Sequence, residues 1–174
     1  MSRPNVLLII SDQHRSDCLG CYGNERIRTP HIDRLAGEGV RLDRAYVTNP
    51  LCTPSRASIL TGRSVSGHGA WNLGVPLPPD TRTIAAELAQ DGYRTGAIGK
   101  VHLTPQVRGC PEYPENEDFW NADPEPEWHG PYFGFDHVDL ITVEVQCLAQ
   151  FDPGRFGKGH HGCRAVEGGR QPSF

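Results

Sequence analysis

Asn5-Val6-Leu7-Leu8-Ile9-Ile10-Ser11-Asp12-Gln13 sets five apolar residues in a row ahead of a carboxylate. A short apolar run without alternation reads as a central strand covered on both faces, here Val6 to Ile10. Outward from it, strands and helices take turns. Thr29-Pro30 opens a helix that runs to about Glu38. Thr29 suits the N-cap, Pro30 suits the first turn, Ile32 and Leu35 share a face, and Gly39 follows. Val40 to Val47 reads as a second strand. Thr83 to Gln90 reads as a helix with Ile84, Leu88 and Ala85 inward, and Arg94 to Ile98 as a third strand. This alternation predicts an α/β fold, a mainly parallel sheet flanked by helices. In such sheets ligands bind outside the carboxyl ends of the strands. Asp12, Cys52, Lys100 and His102 each follow an expected strand and are expected to converge there.

Pro50-Leu51-Cys52-Thr53-Pro54-Ser55-Arg56-Ala57-Ser58-Ile59-Leu60-Thr61-Gly62 starts a helix near its cysteine. Pro54 fits the first turn, where its missing N–H is unpaired anyway, and Gly62 ends the helix. Cys52 is thereby placed among free backbone N–H groups at the positive end of the helix dipole. Such a place binds anions. Arg56 adds a fork-shaped donor suited to a tetrahedral oxyanion. Cys52 is thus a candidate nucleophile toward a charged ester. Taken alone, it is equally a small buried residue beside a structural arginine.

The wider pattern decides between these readings. C-x-P-S-R-x-x-x-L-T-G, from Cys52 to Gly62, resembles the first signature of the sulfatase family. Gly92-Tyr93-Arg94-Thr95-Gly96-Ala97-Ile98-Gly99-Lys100-Val101-His102 resembles the second, G-Y-x-T-x-x-x-G-K-x-H. With the strand ending at Asp12, three pieces stand in that family's order, and the resemblance covers roughly residues 3 to 140. It implies an alkaline-phosphatase-like fold, present in part, and a sulfuric ester hydrolase.

In that family the cysteine is oxidised to formylglycine by a maturase, and its hydrate attacks the sulfur of a small-molecule sulfate ester. The resemblance assigns this to Cys52. It gives Arg56 the task of holding the hydrate, and Lys100 that of donating to the sulfate oxygens. His102 would bond the second hydroxyl and take its proton, so that a sulfate hemiacetal collapses to the aldehyde. Asp12 and Gln13, with residue 52, would contact a divalent ion: Ca²⁺ first, Mg²⁺ or Mn²⁺ as alternatives. The family usually pairs two aspartates where this chain has Asp12-Gln13; a minority of the family, including phosphonate monoester and choline sulfate hydrolases, resembles this chain there. Phosphonate or phosphate ester hydrolysis is therefore the alternative activity. Singly, Asp12 is also a strand-end cap, Lys100 a surface charge and His102 a strand-end hydrogen bonder.

Family members run to several hundred residues and carry a later D-[HN]-G segment for further metal ligands. That segment is absent here; Asp136-His137 is followed by Val138 and comes too early. Residues 1–140 are therefore expected to be the N-terminal part of a catalytic domain. Residues 141–174 are expected to be an irregular tail, truncated or frameshifted, which leaves a catalytically inactive fragment as the third reading.

The remaining properties set bounds. A chain of 174 residues can bury one core, while 20 Gly and 15 Pro promise many loops. A net charge of −4 without a basic stripe speaks against nucleic acid. No stretch is long enough to span a membrane. Val6 to Ile10 is too short for a signal peptide, so a cytoplasmic setting is expected, with the six cysteines reduced. Cys18-Leu19-Gly20-Cys21 then reads as two ordinary thiols. Pro111 to Glu127 holds seven acidic residues, four prolines and no Lys or Arg, and is expected to be a solvated loop. Trp128 to Asp136 reads as an aromatic return to the sheet. His160-His161 is a weak metal pair, since adjacent side chains diverge.

Overall fold

The computed structural model describes residues 3–141, except 107, 108, 123 and 125. The expected tail beyond 141, with His160-His161, lies outside the described residues. The chain divides into two compact units, Met1–Tyr46 and Val47–Phe174. Among the described residues no helix is long and apolar enough to cross a membrane.

The first unit holds short 3-10 turns at Ser16–Cys18 and Gly20–Tyr22 and the helix α1, Pro30–Glu38. The bounds of α1 match those expected from its proline and glycine. Its capping differs. The Thr29 hydroxyl accepts from Gly20 N (2.8 Å) and donates to Asp33 Oδ1 (2.9 Å), which also accepts from Cys21 N (2.7 Å). The threonine thus ties the turns to the helix start instead of closing the helix's own N–H groups. Cys18 and Cys21 are half-buried free thiols, as expected.

Val6 to Ile10 and Val40 to Val47 are not strands among the described residues. A strand exists only when its N–H and C=O groups meet a neighbour's, and burial of both faces needs layers above and below. Within the first unit neither is supplied. Val6 is 67% exposed and Ile9 78%, and no described residue of the unit is fully buried.

The second unit carries the core. Its elements are α2 (Cys52–Thr61), α3 (Val65–His68), α4 (Ile84–Gln90), β1 (Gly96–Gly99), α5 (Glu117–Trp120) and β2 (His137–Leu140). The strands β1 and β2 pair in parallel, Gly96 opposite His137 and Gly99 opposite Leu140. The fold is α/β, a small parallel sheet with helices beside it. The expected third strand is present, shifted two residues at its start. Thr95 sets the register. Its carbonyl accepts from Asp136 N (3.1 Å) and His137 N (3.2 Å), its hydroxyl donates to Gly134 O (2.8 Å), and its N–H donates to Asp136 Oδ2 (3.1 Å).

Ala57, Leu60, Ala70, Leu77, Val101 and Leu103 form the buried cluster, with Tyr132, Phe133 and Phe135 packed on it. Each large side chain so buried stabilises the fold by roughly 1.5–3 kcal/mol. In α4, Ala85 faces inward as expected, but Ile84 is half exposed, since neighbouring helix positions point about 100° apart and Ala85 takes the inward face. The Thr83 hydroxyl accepts from Ala86 N (3.1 Å) and donates to the carbonyl of Phe133 (2.6 Å).

His68 closes α3 against α2. Its Nδ1 accepts from Ala70 N (3.1 Å), so Nε2 carries the proton and faces Ser58 Oγ at 3.0 Å. Burial pushes the His68 pKa down, against an opposing contact with the Pro54 carbonyl. The unfolded chain then binds the extra proton more readily, below about pH 6.5. Stability from this residue is present above that pH and is lost as pH falls through the folded value. Urea midpoints at pH 7.5 and 5.5 should drop more for the wild type than for His68→Asn, whose side-chain oxygen can still accept from Ala70.

Candidate active site

Cys52 opens α2, after Leu51 in extended conformation (φ −84°, ψ 147°). The first helical bond runs from Ser55 N to Leu51 O (3.0 Å), so the N–H groups ahead of residue 55 lie at the helix's positive end. Pro54 occupies that turn without forfeiting a bond, and Gly62 ends the helix (φ +66°). One turn on from Cys52, Arg56 lies on the same face and is only 7% exposed. Its Nη1 donates to the carbonyl of Lys100 (2.7 Å). Beside Cys52, the Thr53 hydroxyl is buried without a hydrogen-bond partner among the described residues.

The second half of the site follows β1. Gly99 has φ +100°, a conformation that L side chains rarely adopt, and it turns the chain out of the strand toward α2. Lys100 then places Nζ 3.7 Å from Cys52 Sγ. Two residues later His102 is 5% exposed and held in left-handed conformation (φ +55°). A non-glycine residue there carries strain of roughly 1–3 kcal/mol and persists only where its surroundings over-determine it.

Those surroundings are a buried carboxylate that the sequence reading placed in a solvated loop. Glu115 is 1% exposed. It accepts from the backbone N–H groups of His102, of Leu103 (2.6 Å) and of Thr104 (2.8 Å). The hydroxyls of Thr104 (3.0 Å) and Tyr132 (2.8 Å) complete its shell. Burial pushes the Glu115 carboxyl above its ordinary range, while the Thr104 and Leu103 N–H groups and both hydroxyls pull it back. Leaving one such buried N–H without an acceptor costs roughly 1–3 kcal/mol.

The expectation of a solvated loop from Pro111 to Glu127 is therefore corrected. Pro114 to Asn116 are buried, and Asn116 caps α5 by accepting from Asp118 N (2.9 Å). The rings of Phe119, Trp120 and Trp128 meet edge to face. Tyr113, Phe119 and Trp120, set among the acids and prolines, were the available signal of packing. Of the sequence-predicted residues, Cys52, Arg56 and Lys100 come together, with His102 two residues on. Asp12 and Gln13 belong to the first unit, where both are exposed and Gln13 is left-handed (φ +50°). Away from the site, His129 and His137 each bond Asp139, at 3.0 and 3.2 Å, a hydrogen-bonded surface group that the sequence reading did not mark.

The sulfatase family model matches residues 4–146. The chain belongs to the sulfatase family. Among its relatives, the arylsulfatase of Clostridium perfringens is 44% identical over 116 residues, covering 62% of this chain and 23% of that protein. A solved structure of a protein in complex with its substrate D-glucosamine-2-N,6-O-disulfate superposes with a TM-score of 0.61 at 35% identity, covering 79% of this chain and 23% of the other. The phosphonate monoester hydrolase of Agrobacterium radiobacter superposes with a TM-score of 0.60 at 31% identity, covering 80% of this chain and 26% of the other. This sulfatase chain therefore spans about a quarter or less of the length of these proteins. Sulfatases generally use formylglycine and a divalent metal. Residue 52 stands at a helix N-terminus near the Lys100 ammonium group; Asp12 and Gln13, in the first unit, carry oxygen donors of the class that divalent cations such as Ca²⁺ take. Two side chains supply only part of a shell of six or more oxygens for Ca²⁺.

Proposed function

We propose that these residues are the N-terminal part of a sulfuric ester hydrolase in which residue 52 attacks a sulfate monoester. The observation that supports it most is the approach of Lys100 Nζ to the Cys52 side chain across 48 positions of sequence. As formylglycine, installed by a maturase, residue 52 would supply a geminal diol nucleophile. The α2 N-terminus and Lys100 then stabilise the charge that gathers on the sulfuryl oxygens. Arg56 fixes the backbone from which Lys100 reaches, through its bond to the Lys100 carbonyl, and would hold the hydrate of residue 52. His102 is the proton acceptor for the diol. Asp12 and Gln13 would hold the divalent ion, Ca²⁺ before Mg²⁺ or Mn²⁺, which would screen sulfate charge when bound. Residues 1–140 form the catalytic part in this reading, with a small-molecule sulfate ester as substrate.

The second reading is phosphonate ester hydrolysis. Gln13 in place of a second carboxylate and the likeness to a phosphonate monoester hydrolase favour it. Turnover of an aryl sulfate and of a phenyl phosphonate ester, by protein co-produced with a maturase and supplied with Ca²⁺, separates them. Faster sulfate turnover is expected. Faster phosphonate turnover would move the assignment. Turnover of neither, with the aldehyde present at residue 52, would reject hydrolysis by these residues alone.

A further inference from the structure

We propose that Glu115 is a positioning residue for His102. It sets the backbone turn that aims the imidazole, and so governs the chemical step rather than substrate binding. This rests on the reading of His102 as the proton acceptor.

Three observations carry it. Glu115 is a buried carboxylate, and donors from backbone and hydroxyls surround it. Its oxygens take three consecutive N–H groups, from His102 to Thr104, which a carboxylate can do only if the chain curls around it. The first of these residues is the left-handed His102. A histidine spends time in that conformation more readily than most residues, but it needs something to hold it. Glu115 itself is held: Asn116 N bonds the Tyr113 carbonyl (2.9 Å), Asn116 caps α5, and Trp120 Nε1 bonds the Pro114 carbonyl (2.7 Å). The acidic, aromatic segment thus forms a rigid mount for the turn after Gly99.

Glutamine is a poor substitute here. Its amide NH₂ would face N–H donors, so Glu115→Gln releases at least one of the three backbone contacts. Tyr132→Phe is the comparison: it removes a hydroxyl from the same carboxylate and from the Thr104 hydroxyl (2.9 Å), and keeps the acceptor of all three backbone N–H groups.

The test pairs amide spectroscopy with turnover, using the whole chain. In the wild type, amide protons 102–104 should resonate downfield and exchange slowly; exchange at unfolded-chain rates would overturn the proposal, even if Glu115→Gln failed to fold. In Glu115→Gln those amides should move upfield and the His102 ring signals should shift, while Tyr132→Phe leaves both in place. Where the wild type hydrolyses an aryl sulfate, Glu115→Gln should lose on the order of 10- to 100-fold in kcat with KM nearly unchanged. Tyr132→Phe should keep kcat. Equal losses in both variants, or a loss confined to KM, would overturn the proposal. Where the wild type hydrolyses nothing, hydrolysis by these residues alone is rejected, and the amide and ring signals still decide whether Glu115 sets the turn.

Discussion

Cys52→Ala is expected to lower aryl sulfate turnover by on the order of 10⁴-fold or more while leaving the fold in place. The side chain is half-buried at the first position of α2, and alanine is a good helix former there. What alanine removes is the group that meets Lys100 Nζ at 3.7 Å. The packing interpretation of Cys52 predicts the reverse: a loss of stability with turnover preserved. Turnover and a thermal melt on the same preparation therefore separate the two. A variant that melts early and still hydrolyses the ester would return Cys52 to a structural role.

Gly134→Ala is expected to have the largest effect on stability, about 3 kcal/mol or more. Tyr132 to Phe135 form a tight turn in which Phe133 and Gly134 both have positive φ (+46° and +86°), and the flanking residues exchange N–H···O bonds of 2.9 Å. This is the pattern of a type I′ turn. A Cβ on Gly134 would lie 2.3 Å from Ala86 N and 2.5 Å from Ala86 Cα. Those are backbone atoms of α4, which cannot swing aside as a side chain would. The helix would have to retreat, and with it the Thr83 hydroxyl that bridges Ala86 N and the Phe133 carbonyl. Loss of that cap alone is worth about 1 kcal/mol. Urea denaturation measures the change; a shift under about 0.5 kcal/mol would contradict the packing described.

Helices and the nucleophile's setting were legible in the sequence because their signals are local. Pro30 and Gly39 bracket α1, Thr83 caps α4, and Pro54 and Gly62 bound the body of α2, all within a turn of the residues they govern. Strands were less legible. Val6 to Ile10 has the composition of a buried strand, but composition does not supply the hydrogen-bonding neighbour, and β2 was anticipated only as an aromatic approach. Thr95 illustrates the difference: its place in the second signature was evident, and its work on β-strand register was not, since that depends on Asp136, 41 residues away.

Glu115 was missed for the same reason. A glutamate among seven acids and four prolines reads as solvated until its donors are known, and its backbone donors sit 11 to 13 residues earlier on the chain. The convergence of Cys52, Arg56 and Lys100 was foreseeable, because the end of a parallel strand and the start of a helix fall at the same side of such a sheet.

The most direct test of the account is the mass of the tryptic peptide spanning residues 45–56, taken from the chain co-produced with a formylglycine-generating maturase. The account predicts that the Cys52 sulfur is replaced by an aldehyde oxygen, and that the peptide reacts with a hydrazide. An intact thiol at residue 52, with the maturase shown to be active on another sulfatase in the same cells, would contradict it.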